Sequence, residues 1–264
     1  MAKRRLDALL VERGLFESRS RAAAAVMAGE VRLGAAGARA QKPGQLVPGD
    51  AKVAVDELPG YVSRGGVKLA NALDAFGIDP RGRHCLDVGA STGGFTDCLL
   101  QRGAAHVVAL DVAYGELHWT MRTHPHVTPV ERVNARALQP VDLPYPPDLI
   151  TVDVSFISLA KVLPAVLACA AREFDCLALV KPQFEVGRER VGKGGVVRSA
   201  DDRRSALVAV GESAAALGYA ILGFTSSGLP GPAGNRESFV WIAERGRAGS
   251  RSDDLGPATR EVEP

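Results

Sequence analysis

The stretch Leu86-Asp87-Val88-Gly89-Ala90-Ser91-Thr92-Gly93-Gly94-Phe95-Thr96 decides the fold. An apolar strand over 84–88 runs into a tight glycine turn, and an amphipathic helix over 95–102 follows. Such a turn lets backbone N–H groups approach a ligand closely at a positive helix N-terminus. A second apolar strand, 107–110, ends in Asp111. An acid about 20 positions after the turn suits hydrogen bonds to ribose hydroxyls. The pattern predicts an adenosine-containing cofactor. Ser91 stands where a dinucleotide fingerprint wants its second glycine, which argues against a pyrophosphate and fits S-adenosylmethionine. The plainer alternative is a strand-turn-helix whose glycines serve packing only.

Outward from this stretch, strands alternate with helices. Strands are predicted at 84–88, 106–110, 127–131, 148–153, 175–181, 219–225 and 237–243, and helices at 66–76, 94–102, 115–121, 158–171 and 201–217. This alternation predicts an α/β, doubly wound, Rossmann-like sheet, mostly parallel with the last strand antiparallel. Residues 1–57 read as a small α+β module: a short helix around Leu6, Leu9 and Leu10, a helix over 19–28, and strands at 30–33 and 52–55. Pro59-Gly60 marks a linker over 58–63. The large domain takes 64–246. Residues 247–264 lack periodicity and are expected to be a disordered tail.

Composition narrows the class. Apolar residues make up 46% of the 264, enough for a real core. Neither an apolar run of membrane-spanning length nor a secretory h-region is visible, so a cytoplasmic protein is expected. Cys85, Cys98, Cys169 and Cys176 form no C-x-x-C pair and read as reduced core residues. No His/Cys spacing suggests a structural metal. A monomer is the working expectation. The net charge is +2, but residues 1–42 hold nine Lys/Arg against four acids, so the small module is the basic part. That asymmetry suggests a nucleic-acid anchor, against a plain solvated surface.

The run from Arg5 to Ala22, Arg-Leu-Asp-x-x-Leu-x-x-x-Gly-Leu-x-x-Ser-Arg-x-x-Ala, resembles the S4 RNA-binding module. The resemblance implies a helical basic face laid on structured RNA. Lys3, Arg4, Arg5, Arg19, Arg21 and Lys42 are its candidate contacts. The pattern departs from the family after Gly34, where Ala-Ala-Gly replaces a polar turn.

Ligands of a doubly wound sheet sit outside the carboxyl ends of its strands. Asp153 and Lys181 end two strands, Glu237 opens the last, antiparallel one, and Lys68 lies on the helix that starts the domain. Two lysines and two acids on one rim beside a cofactor loop exceed what a chance surface charge explains. In chain order they resemble the Lys-Asp-Lys-Glu tetrad of FtsJ-like ribose 2′-O-methyltransferases. Val180-Lys-Pro-Gln-Phe-Glu resembles that class as well, and over nearly all of 1–245 the chain resembles the TlyA family, on Ser63-Arg64-Gly65-Gly66, the 87–96 block, Asp153-Val-Ser-Phe-Ile-Ser and Leu229-Pro-Gly-Pro-x-Gly-Asn.

The resemblance implies methyl transfer from S-adenosylmethionine to a ribosomal RNA cytidine 2′-oxygen. Lys181 then contacts the oxygen, Asp153 and Glu237 orient the amine, and Lys68 stabilises developing charge. Whether Lys181 takes the proton or only steers the oxygen stays open. The candidate cofactor residues are Asp87, Gly89, Ala90, Ser91, Thr92, Gly93, Gly94, Phe95, Asp111, Val112, Asn134 and Ala135. Asn134 suits either an adenine edge or a loop cap. Arg64, Arg132, Arg136 and Arg188 are candidate phosphate contacts on the same rim. Phe156 and Phe184 are candidates to stack on a flipped-out base, with core packing the safer reading. The loop 187–195 is expected to be mobile and to order on RNA. The rivals are a membrane-active haemolysin, a nicotinamide oxidoreductase, disfavoured by Ser91, and a non-catalytic RNA-binding assembly factor, disfavoured by the full tetrad.

Overall fold

The computed structural model describes all residues except 1, 2, 17, 28, 35, 36, 56–59, 252, 253 and 264. The Ala-Ala of the unusual turn and the first two residues of the expected linker, 58 and 59, lie outside the described residues.

The N-terminal module comprises β1 (Lys3–Arg5), α1 (Leu6–Glu12), α2 (Arg19–Met27), β2 (Val31–Leu33), β3 (Ala38–Arg39), β4 (Leu46–Pro48) and β5 (Val53–Val55). Leu6, Leu9 and Leu10 of α1 close against Ala22, Ala25 and Val26 of α2 and against Val31 and Val47. Two small antiparallel sheets, β1-β4 and β3-β2-β5, flank this core.

The large domain begins with α3 (Arg64–Phe76), capped by Ser63, whose hydroxyl accepts from the Gly65 N–H, and closed by Gly77 in the left-handed region. Then come β6 (His84–Val88), α4 (Gly94–Gln101), β7 (His106–Asp111), α5 (Trp119–Arg122), β8 (Val127–Glu131), β9 (Leu149–Val152), α6 (Leu163–Leu167), β10 (Asp175–Val180), α7 (Pro182–Glu185), α8 (Ala200–Ala216), β11 (Ala220–Ser226), β12 (Ser238–Ala243) and α9 (Gly256–Val262). Seven strands form one sheet in the order β11-β12-β10-β9-β6-β7-β8. All neighbours pair in parallel except β12, which is antiparallel to both β10 and β11. Chain order reverses between β6 and β9, and a crevice opens there at the carboxyl ends. One apolar layer joins the sheet to α6, α8 and α9; a second, around Leu69, Leu73, Cys98 and Leu99, joins it to α3 and α4.

Three expectations change. The helix expected over 158–171 is a short 3-10 turn, Leu159–Lys161, followed by α6, because Pro164 lacks the N–H that would bond back into the first turn. The helix expected over 115–121 shrinks to α5, since Gly115 sits at φ +76° and His118 caps a later start. The tail expected to be disordered carries α9. Leu255, Ala258 and Thr259 bury against the body, and the Glu263 carboxylate accepts from Arg203 Nε of α8 at 2.7 Å. Its apolar stripe is too short to register as a sequence period.

Candidate active site

The glycine turn is shaped by what lies behind it. Gly89 is at φ +83°, and a Cβ there would lie 2.4 Å from the Asp153 carbonyl oxygen. The end of β9 is therefore pressed onto the turn, and the Asp153 N–H donates to the Val88 carbonyl at 2.8 Å. At Gly94 a Cβ would meet Ser63 Oγ at 2.1 Å and Gly66 N at 3.0 Å. The N-termini of α3 and α4 thus cross backbone to backbone. Ser91 holds φ +46°, uncommon for a side-chain-bearing residue, and its N–H donates to Asp111 Oδ2 at 2.8 Å. Asp111 Oδ1 accepts from the Ala113 N–H at 2.8 Å, so this carboxylate fixes the turn while standing half-buried at its mouth.

The residues fit S-adenosylmethionine. The mouth is acidic at Asp111 and Glu116, which hydrogen-bonds Ser91 Oγ, as a ribose diol and a cationic ligand require. Val112 beside them is exposed and offers an adenine an apolar face. Asn134 caps the 3-10 turn Ala135–Ala137 through the Arg136 N–H, which leaves its amide N–H groups for a ligand edge.

Two of the expected cofactor residues act from beneath. Asp87 is completely buried, accepts from Thr96 and Thr151 hydroxyls at 2.7 and 3.0 Å, and has its pKa pushed up to about 7 by burial. Phe95 packs into the core against Phe239, ring centroids 5.9 Å apart.

The four rim residues meet. Lys68 Nζ donates to Glu237 Oε2 at 2.5 Å, with the two residues only 8% and 2% exposed. Lys181 Nζ lies 2.6 Å from Asp153 Oδ1 and donates to Ser155 Oγ at 2.8 Å. Burial works to lower the Lys181 pKa, but the charges of Asp153 and Glu237 and the Asp153 hydrogen bond outweigh it. The amine is therefore held as ammonium, above its ordinary value. Ser155 escaped the sequence reading; its only signal is its place two residues beyond Asp153. Beside it Phe156 is 92% exposed at φ +65°, with its ring 5.3 Å from that of Phe184. The safer expectation of core packing is overturned for Phe156. Glu185 fastens this loop by accepting from Ser158 Oγ at 2.7 Å and Leu159 N at 2.9 Å.

The expected RNA-facing cations divide. Lys3, Arg4, Arg5, Arg19, Lys42, Arg132, Arg136 and Arg188 are exposed, and Arg21 is half-buried. Arg132 lies over the exposed Tyr114 ring at 4.3 Å. Arg64 is a correction: it is 7% exposed and donates to the Pro230 carbonyl at 3.3 Å, so it braces the 229–235 turn against α3. The loop 187–195, expected to be mobile, is fastened at its far end by buried Asn235, which donates to Gly195 O and accepts from Val197 N. Among the described residues no helix is long and apolar enough to cross a membrane, and no cluster of three metal-ligating side chains occurs.

The FtsJ-like methyltransferase model matches residues 61–244 and the S4 domain model residues 4–53. The 16S/23S rRNA (cytidine-2′-O)-methyltransferase TlyA of Mycobacterium tuberculosis is 51% identical over 245 residues, covering 92% of this chain and 91% of that protein. The chain belongs to the TlyA family. The 23S rRNA (cytidine-2′-O)-methyltransferase TlyA of Campylobacter jejuni is 36% identical over 182 residues, covering 69% of this chain and 70% of that protein. A solved Streptococcus thermophilus structure with a hemolysin name superposes with a TM-score of 0.76 at 38% identity, over 99% of this chain and 94% of that one. This TlyA family member is thus a methyltransferase, and S-adenosylmethionine is its cofactor.

Proposed function

We propose that the chain methylates the ribose 2′-oxygen of cytidines in ribosomal RNA. The observation that carries this reading is the meeting of Lys68–Glu237 and Lys181–Asp153 on one rim beside the glycine turn. Two such lysines, one buried and one half-buried, each ion-paired to a carboxylate, suit a reaction in which a hydroxyl oxygen gains negative character as its proton leaves.

Bound S-adenosylmethionine supplies an electrophilic sulfonium methyl group. Two partners of the Lys181 ammonium are Asp153 and Ser155; its remaining N–H is available to the 2′-oxygen. From there it would steer a lone pair into line and make loss of the hydroxyl proton easier. Lys68, neutralised by Glu237, adds positive field without a net charge change. The hydroxyl proton passes to water as the methyl carbon is approached, so the oxygen gains the negative character that the lysine charges favour. Because Lys181 rests as ammonium, positioning rather than proton abstraction is its part. Phe156, exposed and held by a strained backbone, supports a stacking role toward an unpaired base. The S4 module supports delivery to folded RNA.

The test is transfer of labelled methyl from S-adenosylmethionine to unmodified ribosomal subunits by wild type and Lys181→Ala. Label at an alkali-resistant ribose linkage, reduced about 10²-fold or more in the variant, is expected. Tight RNA binding without transfer by wild type would overturn the reading in favour of a non-catalytic assembly factor.

A further inference from the structure

The basic face of the N-terminal module contains a carboxylate that an RNA-binding surface has no obvious use for. Asp7 is only 4% exposed, yet it sits among Arg4, Arg5 and Arg19, which line one surface cleft with Ala8 and Glu12. Its two oxygens are fully engaged. Oδ1 accepts from Arg5 Nε at 3.1 Å and from the Ala8 N–H at 2.8 Å. Oδ2 accepts from Arg5 Nη2 at 2.7 Å and from Arg19 Nη2 at 3.2 Å. Arg5 is therefore gripped in a two-pronged fork, and Arg19 is drawn to the same oxygen from a different helix. Gly44 supports the arrangement from the other side: a Cβ there would lie 3.2 Å from Arg5 Nη1 and Nη2, so the missing side chain leaves room for the guanidinium. Both arginine side chains remain more than half exposed.

We propose that Asp7 is a positioning residue that sets Arg5 and Arg19 as a pre-aligned pair for one backbone phosphate of folded RNA. The inference rests on the RNA-binding reading of this module. Each guanidinium has N–H groups beyond those given to Asp7, and the shared oxygen keeps the two planes within the span one phosphate bridges. A free arginine loses rotamer freedom on binding; an arginine already held by a buried carboxylate has lost it on folding. A plain charge argument and this geometric one then predict opposite signs. Removing a negative charge from a face that meets polyanionic RNA should strengthen binding if field alone matters. It should weaken binding if alignment matters.

The experiment is anisotropy titration of the full chain with unmodified ribosomal RNA at several salt concentrations. The proteins are wild type, Asp7→Asn, Arg5→Lys, the double variant Arg5→Ala/Arg19→Ala, and the triple variant that adds Asp7→Asn to that double. Expected is a loss of ~3- to 10-fold for Asp7→Asn despite its added positive charge, the order set by two immobilised side chains. The triple variant should bind no worse than the double, because Asp7 acts only through the arginines. Arg5→Lys keeps the charge and leaves Asp7 in place, so its weakening tests the fork even if Asp7→Asn perturbs the fold of the module. Unchanged or tighter binding by both Asp7→Asn and Arg5→Lys overturns the inference. If instead the Arg5→Ala/Arg19→Ala double binds as wild type does, the RNA-binding reading of this face falls with it.

Discussion

At the scale of single residues, the two ion pairs of the rim differ in what they support. Lys68 and Glu237 are almost wholly buried, so removing one partner strands a charge in the interior. Glu237→Ala should lower stability by ~3–5 kcal/mol and abolish transfer with it, read by thermal melting and a methylation assay. Lys181→Ala should remove turnover with a smaller loss of melting temperature than Glu237→Ala, because the Asp153 side chain keeps 23% of its surface exposed and that of Glu237 only 1%. A raised lysine pKa contributes stability below the ordinary lysine value, and this contribution is lost as pH climbs through the folded one. The same sign bears on rate. With Lys181 held as ammonium, single-turnover transfer should be flat between about pH 7.5 and 9.5, whereas a general-base lysine would give a rise approaching tenfold per unit. Asp87 carries the opposite lesson. As an acid in the first turn motif it invited a ligand role, but a carboxylate at the end of a central strand has no solvent, and only the two threonines around it, far apart in sequence, show that it is a tether.

At the scale of elements, the glycines do their work by letting backbones touch. Gly94→Ala would drive a methyl group into Ser63 Oγ and the Gly66 backbone, parting α3 from α4. Overpacking of this kind costs ~1–3 kcal/mol, and because Lys68 rides on α3 the variant should also weaken methyl transfer more than cofactor affinity. Isothermal titration with S-adenosylmethionine beside a turnover assay separates the two. Most of this layer was legible in the sequence. The strands over 84–88 and 127–131 carry the predicted bounds: His-Cys-Leu-Asp-Val is buried from its second residue on in the centre of the sheet, and Val-Thr-Pro-Val-Glu is half-buried at its edge. What was not legible depends on partners distant in the chain. Arg64 reads as a surface cation until the 229–235 turn is seen to cover it. Phe156 reads as core until the left-handed turn at its own backbone throws the ring outward. The α9 helix buries too few apolar residues to mark its period, and Arg203 supplies the attachment that its sequence does not announce.

At the scale of the whole molecule, RNA binding by the basic module and chemistry by the near-neutral body are the expected division. Arg21 of α2 reaches far enough toward the body that its charge helps lower the His118 pKa, after burial itself. Removal of residues 1–59 should leave cofactor affinity unchanged and raise the KM for ribosomal RNA by more than tenfold, with a shallower dependence on salt as phosphate contacts are lost. Filter binding of the two forms across a salt series checks this; a salt slope unchanged by the deletion would place the RNA contacts on the body alone.

The antiparallel insertion of β12 between β10 and β11 also sets an order of events in time. Lys68 and its partner Glu237 are 169 positions apart, and they meet only after β12 has threaded between two strands that precede it in the chain. The N-terminal module closes on neighbours within a few dozen residues and is the kind of unit that folds early. On loop-closure grounds the module over 3–55 is expected to be complete before Lys68 meets Glu237, so the rim is assembled after the part of the chain that the S4 model matches.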